Sequence, residues 1–284
     1  MSADATPAGD AGTAGTTSDG VILEARGVRR AFGGIVAVDV DHFEVPRGAI
    51  LALIGPNGAG KTTFFNLLTG FERADAGSWV FDGRDLTGKA SYRIARAGMV
   101  RTFQIPKALS KMTVLDNMKL ATPDQRGERF FSALVRPLWE AQDRGVETRA
   151  LELLDWVGLA DKRSDYAGTL SGGQRKLLEL GRSMMTEPRL LMLDEPTAGV
   201  NPALTDTLLE RIQSLKNEGL TVLFVEHDMD VVSSISDRVV CMAEGQIISE
   251  GTPREVVSDP AVIDAYLGRH HGTAAAVADE GTST

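Results

Sequence analysis

The chain has 284 residues, of which 43% are hydrophobic and 24% are charged. This composition is ordinary for a soluble globular protein and excludes a disordered or collagen-like chain. The formal net charge of −9 is opposite in sign to that of a typical nucleic-acid-binding domain, so we expect no nucleic-acid partner. Cys241 is the single cysteine, which excludes a disulfide framework or a cysteine-built zinc site within one chain. We expect no transmembrane segment and no signal peptide, because the sequence shows neither pattern.

Composition divides the chain into a central domain and two tails. Residues 1–20 and 269–284 are rich in Ala, Gly, Thr, Ser and Asp and offer almost nothing to bury, so we expect both to be disordered. Residues 21–268 carry the apolar patterns of one folded domain.

In chain order, the predicted strands and helices of this domain are typical of an α/β protein. The segments with strand character are Val21–Glu24, Val36–Val45, Ile50–Ile54, Ser78–Asp82, Leu190–Leu193 and Thr221–Val225. Helices are predicted over Lys61–Thr69, Met112–Ala121, Arg129–Gln142 and Val146–Leu159, and from Ser171 and Asn201 onward. Continuous apolar runs suit strands covered on both faces of a mainly parallel sheet, whereas the N-terminal strands indicate an antiparallel β subdomain. Residues from about 105 to 170 hold no good strand, so we expect an inserted helical subdomain there.

A phosphate-binding loop follows the apolar run that ends at Ile54. The stretch Gly55–Thr63 reads Gly-Pro-Asn-Gly-Ala-Gly-Lys-Thr-Thr and matches the pattern G-x-x-x-x-G-K-[ST] between a strand and a helix. Its glycines let backbone N–H groups turn toward an anion, and the helix N-terminus favours phosphate. Lys61 is expected to reach the β- and γ-phosphates, and the Thr62 hydroxyl to bind Mg²⁺. The predicted nucleotide-binding residues of this loop are Gly55, Asn57, Gly58, Gly60, Lys61, Thr62 and Thr63. The alternative is a glycine-rich turn with an incidental lysine.

Two carboxylates end the apolar run 190–193. Asp194 and Glu195 would lie at the carboxyl end of a strand, where ligands bind in open α/β sheets. Asp194 is suited to hold Mg²⁺ through water, and Glu195 could orient or deprotonate an attacking water. The alternative is an acidic surface turn. Beside the phosphate loop, the pair indicates a P-loop NTPase core.

A second glycine-rich helix start lies at Leu170–Gln174, which reads Leu-Ser-Gly-Gly-Gln. Ser171 is a natural N-cap, and Gly172 and Gly173 permit close approach of an anion to the backbone. Because one nucleotide already has its cradle, this terminus is expected to face the nucleotide of another subunit. A well-capped helix with no further role is the alternative.

These motifs together resemble the ATP-binding subunits of ABC transporters over about residues 21–268, because Leu170–Gln174 matches the signature motif of that family. The resemblance implies ATP and Mg²⁺ as ligands. It also implies that Phe32 stacks on adenine, that Gln104 contacts Mg²⁺ and the attacking water, and that His227 contacts the γ-phosphate. Ser171, Gly172, Gly173 and Gln174 would contact the nucleotide of the facing ATPase.

A narrower resemblance is to the ATPases of branched-chain amino acid importers, and to the longer of the two that such systems use. It rests on Phe32-Gly33-Gly34, Gly70-Phe71, Arg101-Thr102-Phe103-Gln104, Glu226-His227-Asp228-Met229 and Ala265-Tyr266-Leu267-Gly268. The implied partners are transmembrane permease subunits and a second ABC ATPase, or a second copy of this chain. The implied location is peripheral, on the cytoplasmic face of the cell membrane. Ile105, Pro106, Leu109 and Met112 form a hypothetical groove for a permease helix, or else they are small core residues.

One residue departs from the pattern of the family. Asn201 stands where the loop after Asp194-Glu195 commonly carries an aspartate, so it can cap the next helix but lacks the charge. Three alternative functions stay open: an ATPase that serves a lipid or polysaccharide exporter, a soluble ABC ATPase that acts on DNA or ribosomes, and a P-loop kinase or GTPase. The last would not need Leu170–Gln174, and the second usually shows fused units or long coiled coils.

Overall fold

The computed structural model describes residues 20–102, 109–123 and 136–275. Its elements form two sheets with helices packed against the larger one. Within the described ranges, no helix combines the length and the apolarity that crossing a membrane requires.

The N-terminal sheet is antiparallel, as predicted. Its strands, in the spatial order β2-β1-β4-β5, are β1 (Val21–Phe32), β2 (Ile35–Pro46), β4 (Ala76–Phe81) and β5 (Arg84–Asp85). Gly33 and Gly34 join β1 to β2 with positive φ angles of 53° and 90°. Two successive left-handed residues form the tight hairpin turn that matches the twist of the strands, and glycine adopts this conformation without strain. Phe32 and Ile35 therefore face each other at the tip of the hairpin.

The central sheet is mainly parallel, which confirms the predicted fold class. Its strands are β3 (Ile50–Ile54), β6 (Met99–Arg101), β7 (Leu190–Asp194), β8 (Thr221–Val225), β9 (Arg238–Ala243) and β10 (Gln246–Gly251), in the order β10-β9-β3-β8-β7-β6. The strands from β9 to β6 pair in parallel, and β10 pairs antiparallel with β9. Every residue of β3, β7 and β8 is buried, because other elements cover both faces of the sheet.

Nine α-helices lie in the described ranges. They are α1 (Lys61–Leu68), α2 (Ser91–Arg96), α3 (Val114–Leu120), α4 (Arg136–Trp156), α5 (Gly172–Met184), α6 (Pro202–Asn217), α7 (Met229–Ile235), α8 (Pro253–Val257) and α9 (Pro260–Ala275). The predicted break between helices 129–142 and 146–159 is wrong, because α4 runs unbroken through Gly145. A glycine inside a helix costs only about 1 kcal/mol, and the buried stripe of Ala150, Leu154 and Val157 anchors the helix beyond it. The first residues of the 129–142 prediction lie outside the described ranges.

Two apolar cores hold the layers together. One lies between the N-terminal sheet, α1 and the central sheet, where the rings of Phe43 and Phe64 meet edge to face at 5.1 Å. The other joins the opposite face of the central sheet to α3, α4, α5 and α6. Side chains of β3 alternate between the two cores, with Leu51 in the first and Ala52 in the second. The sheet is thus fixed from both sides, and the adjacent strands β3, β8 and β7 end at one common edge.

Candidate functional site

The loop between β3 and α1 is held tightly by two neighbouring strands. Gly55, Gly58 and Gly60 have positive φ angles of 143°, 76° and 99°. A Cβ atom at Gly55 would overlap the Met242 carbonyl oxygen on β9, and one at Gly60 would overlap the Ala37 carbonyl oxygen on β2. Glycine is therefore required at both ends of the loop for steric as well as conformational reasons.

The side chains of this loop suit an anionic ligand. The Lys61 ammonium donates to the carbonyl oxygens of Gly55 at 2.5 Å and Pro56 at 3.1 Å, which holds the positive charge across the loop. Thr62 and Asn57 are exposed. No side chain caps the described start of α1, and its first turn carries no acidic residue. The helix dipole and Lys61 thus act together in favour of phosphate.

Phe32 stands at the tip of the β1–β2 hairpin with 44% of its surface exposed. One face of its ring lies over the Arg30 guanidinium, 4.5 Å from the ring centroid. Contact between Ala37 and Gly60 brings the base of this hairpin against the phosphate loop. Ile35, which the sequence analysis did not single out, is 75% exposed beside Phe32. The two side chains form an exposed apolar surface at the tip of this hairpin.

Asp194 ends β7 and is only 5% exposed. Its Oδ2 atom accepts a hydrogen bond of 2.7 Å from Arg101, the last residue of β6. Arg101 also donates to Asn66 on α1 at 2.7 Å, and its guanidinium lies 5.5 Å from the Phe65 ring centroid. One buried cation therefore ties β6, β7 and the helix of the phosphate loop together. Arg101 belongs to the motif Arg101-Thr102-Phe103-Gln104, but the sequence pattern alone indicates no role for it.

Glu195, the next residue, has a left-handed backbone with φ of 46°. Such a conformation is uncommon for a residue with a side chain and is strained unless its surroundings fix it. Its N–H donates to the Val225 carbonyl of β8 at 3.0 Å. Its carbonyl oxygen accepts from the Lys176 ammonium of α5 at 2.9 Å. Both backbone polar groups of Glu195 are therefore held by neighbouring elements.

His227 follows β8 and presents its side chain to solvent, with 63% exposed. The preceding residue, Glu226, is 1% exposed. Its Oε1 atom accepts hydrogen bonds from the Thr197 amide at 3.1 Å and the Thr197 hydroxyl at 2.5 Å, and its Oε2 accepts from the His227 amide at 3.2 Å. Glu226 thus joins the loop after Glu195 to the main chain of His227. The sequence motifs did not predict this link.

The start of α5 is a complete capping box. The Ser171 hydroxyl accepts from the Gln174 amide at 3.2 Å, and the Gln174 side chain accepts from the Ser171 amide at 2.9 Å. Ser171 and Gly172 are exposed, whereas Gly173 is buried. A Cβ atom at Gly173 would lie 2.6 Å from Leu204 Cδ1, so this glycine allows α5 to pack on α6. The exposed part of the motif is available to a ligand, and Gln174 has a structural role as well.

The remaining predicted residues fall into two groups. Gln104, Ile105 and Pro106 lie outside the described residues. Within them, Leu109 is 44% exposed, and Asn201 caps α6 by accepting from the Leu204 amide at 3.0 Å.

One cluster of possible metal ligands lies in the described part of the chain, on the N-terminal sheet away from the phosphate loop. It consists of Glu24, His42 and Glu44. Arg26 donates to Glu24 at 2.7 Å and already balances its charge, so we assign no metal there.

Comparisons with known proteins cover most of the chain. Residues 38–198 match the family model described as ABC transporter, and residues 246–277 match that of the branched-chain amino acid ATP-binding cassette transporter. The first match spans the phosphate loop, Ser171–Gln174 and Glu195, and the second covers β10, α8 and α9.

Named relatives agree with these matches. The chain is 43% identical over 247 residues to the probable branched-chain amino acid transport ATP-binding protein LivG of Archaeoglobus fulgidus. This alignment covers 87% of this chain and 95% of the relative. It is 42% identical over 249 residues to the high-affinity branched-chain amino acid transport ATP-binding protein BraF of Pseudomonas aeruginosa, covering 87% of this chain and 98% of that one. A solved structure, the ADP conformation of an ATP-binding cassette of an ABC transporter, superposes with a TM-score of 0.76 at 38% identity, over 87% and 99% of the two chains.

Proposed function

The chain belongs to the ATP-binding subunits of ABC transporters, which are ATPases, and we propose that it powers the import of branched-chain amino acids or related small polar solutes. The observation that carries the solute class is the match of residues 246–277 to the branched-chain amino acid model, since this segment lies beyond the match to the general family. The names of the relatives support the same class.

ATP would bind across the end of β3. We assign the β- and γ-phosphates to Lys61 and the backbone amides of the loop, which combine a charge, a helix dipole and inward-facing donors. Lys61 then exchanges its two carbonyl acceptors for phosphate oxygens. Adenine would stack on the exposed face of Phe32, with Ile35 beside it.

The donor set at this edge of the sheet fits Mg²⁺. A hydroxyl at Thr62 and a carboxylate at Asp194 are the oxygen ligands that this cation prefers. Thr62 lies in the helix that follows β3, and Asp194 ends β7, so both lie toward the carboxyl ends of parallel strands that are separated by β8. When bound, the ion would neutralise charge on the β- and γ-phosphate oxygens. Gln104 is the third proposed ligand and lies outside the described residues. Arg101 must share the Asp194 carboxylate with the cation.

We assign the activation of water to Glu195. Its carboxylate would accept a proton from the water that attacks the γ-phosphate, and the exposed His227 imidazole would bind the same phosphate from the end of β8. Their backbones are adjacent through the pairing of Glu195 with Val225. Both groups therefore approach the phosphate loop from neighbouring strand ends.

Two ATPase domains would close head to tail around two nucleotides. In each site Lys61 comes from one chain, and Ser171 and Gly172 come from the other, because both are exposed at the start of α5. The partner is a second ABC ATPase or another copy of this chain. Closure excludes water from the nucleotide and completes the site, so hydrolysis and motion are coupled.

The proposed membrane partners are permease subunits, which place this chain on the cytoplasmic face of the membrane as a peripheral subunit. The exposed side chain of Leu109 supports a docking groove beside the Gln104 segment. The solute is selected by the permeases and their binding protein rather than by this chain.

The test is a detergent pull-down of the tagged chain from its native membranes, followed by mass spectrometry and by uptake assays in proteoliposomes that contain the purified complex. We expect two permeases, a second ATPase and ATP-dependent uptake of labelled leucine. Recovery of lipid- or polysaccharide-export components would favour the exporter instead. Ribosomal or DNA-repair proteins without permeases would overturn the transport role and leave the ATPase chemistry intact.

A further inference from the structure

We propose that Lys176 is a positioning residue that holds Glu195 in its reactive orientation and couples it to the start of α5. This role depends on the proposed function, in which Glu195 is the base. It adds a residue that lies outside the phosphate loop, on α5.

Lys176 contacts the main chain of Glu195 directly. Lys176 lies in the second turn of α5, is 9% exposed, and donates from Nζ to the Glu195 carbonyl oxygen at 2.9 Å. A lysine is rarely this buried unless its charge is used, because removing an ammonium from water is costly. Here the ammonium donates to the main chain of Glu195, and the side chain of this residue must point at the reacting water.

The backbone of Glu195 is strained. Its φ of 46° lies in the left-handed region. Glu195 also precedes Pro196, and a proline disfavours α-type backbone conformations in the residue before it. Strained residues persist only where neighbouring groups fix them. The amide of Glu195 donates to the Val225 carbonyl, and its own carbonyl oxygen accepts from the Lys176 ammonium at 2.9 Å and from the Ala198 amide at 3.2 Å. Without Lys176 the carbonyl would keep only the longer bond from the Ala198 amide, within its own loop, and would lose its link to α5. The backbone of Glu195, and with it the carboxylate, would then be less firmly oriented.

Several carboxylates lie around the Lys176 ammonium. Burial lowers the pKa of Lys176, whereas the nearby carboxylates of Glu179, Glu226, Asp194 and Glu195 act to raise it. The two acids of the proposed site are therefore neighbours of this cation, together with the acid that supports His227. Lys176 compensates a concentration of negative charge that would otherwise push these side chains apart.

The position of Lys176 on α5 gives the contact a further consequence. Ser171, five residues earlier on the same capped helix, is expected to face the nucleotide of the other subunit. When α5 shifts as Ser171 engages that nucleotide, Lys176 shifts with it and displaces the carbonyl of Glu195 in its own site. This coupling between the two sites does not need the negative charge of the aspartate that the family commonly carries at position 201, where this chain has Asn201.

The experiment compares Lys176→Met, Lys176→Arg and Glu195→Gln in the assembled complex. Lys176→Met should lower kcat between about 10- and 100-fold, the range expected when a catalytic group is misplaced, and leave the affinity for ATP unchanged. Lys176→Arg, which keeps charge and reach, should recover most of the activity. Lys89→Met, which removes an exposed lysine of the N-terminal part, is the matched control and should behave as wild type.

Non-additivity separates a positioning role from a general loss of stability. In the Glu195→Gln background, Lys176→Met should change the residual single-turnover rate less than twofold, because its effect acts through Glu195. Equal losses in both backgrounds, a raised KM at constant kcat, or wild-type turnover of Lys176→Met would overturn the proposal. If Lys176→Met does not fold by circular dichroism, Lys176→Gln carries the same expectations. Wild-type turnover of Glu195→Gln would refute the base itself, whereas an inactive Glu195→Gln with an active Lys176→Met would refute the positioning role alone.

Discussion

Replacing Arg101 by methionine should destabilise the protein strongly, and more in the absence of Mg²⁺ and nucleotide than in their presence. The Arg101 and Asp194 side chains are 5% and 6% exposed, so the substitution leaves a buried carboxylate without its cation. It also removes the hydrogen bond to Asn66 and the contact with the Phe65 ring. The shape of methionine preserves much of the apolar packing, and the loss is therefore mainly electrostatic.

The size of this effect follows from the burial of the pair. Breaking a buried ion pair by removing one partner costs about 3 to 5 kcal/mol, because the remaining charge is uncompensated. A chain of this size loses roughly 2 to 4 °C in Tm for each kcal/mol, so Tm should fall by about 6 to 20 °C. Arg238, whose pair with Glu250 at 2.8 Å is 47% and 36% exposed, provides a matched control. Arg238→Met should cost about 1 kcal/mol or less.

Differential scanning calorimetry of the three proteins, with and without Mg²⁺ and a slowly hydrolysed ATP analogue, measures both parts of this prediction. Because Asp194 is a proposed Mg²⁺ ligand, the cation should compensate its charge, and the analogue with Mg²⁺ should raise the Tm of Arg101→Met more than that of wild type. An apo Tm within 2 °C of wild type, or equal stabilisation by the analogue in Mg²⁺ and in EDTA, would refute the reasoning.

Three further outcomes are expected. Glu195→Gln should lower kcat by about 100-fold or more and keep ATP binding, which stopped-flow hydrolysis and equilibrium binding measure separately; rapid turnover would exclude Glu195 as the base. Lys61→Ala should weaken ATP binding by about tenfold or more in fluorescence titrations, since it removes charge-assisted hydrogen bonds, and unchanged affinity would contradict the phosphate-loop assignment. Burial raises the pKa of the Cys241 thiol to about 11, so native protein should resist thiol reagents at pH 8 and react only on unfolding. The thiol of the unfolded chain ionises at lower pH, so the free energy of unfolding should fall as pH rises from about 9 to 11. The urea midpoint in this range should be lower than at pH 8, and a Cys241→Ala variant should not show this part of the decrease.

The strands with continuous apolar sequence were predictable because they are buried on both faces. β3 and β8 begin and end at the predicted residues. β1 was predicted only over Val21–Glu24 but runs to Phe32. The part beyond Glu24 carries Arg26, Arg29 and Arg30, which interrupt the apolar pattern while the backbone continues to pair with β2. Hydrophobic periodicity reports which faces are covered, not how far the hydrogen-bond ladder extends.

The groups that contact ATP were predictable for a different reason. Phosphate binding needs a loop of fixed length between a strand and a helix, so its glycines, Lys61 and Thr62 are adjacent in sequence. The supporting contacts are not local. Arg101 and Asp194 are 93 residues apart, and Lys176 and Glu195 are 19 apart on different elements. Their sequence signature is weaker: a charged residue at the end of a strand, and a lysine among the leucines of a largely buried helix.

These supporting charges explain why the proposed site can be both ordered and responsive. Asp194, Glu195 and His227 lie at or just after the ends of strands, and a strand end alone leaves a side chain several rotamers. Arg101 holds the Asp194 carboxylate, whereas Lys176 and Glu226 hold the main chain of Glu195 and of His227. These three residues lie on different elements: β6, α5 and the end of β8. A buried ion pair such as Arg101–Asp194 adds little net stability compared with apolar side chains of the same volume, and burying the charges of Lys176 and Glu226 is costly, so stability alone does not account for these three residues. Arg101 and Lys176 orient Asp194 and Glu195, and this orientation depends on the positions of β6 and α5. A shift of either element moves a catalytic group directly, and both elements lead to surfaces proposed to contact a partner.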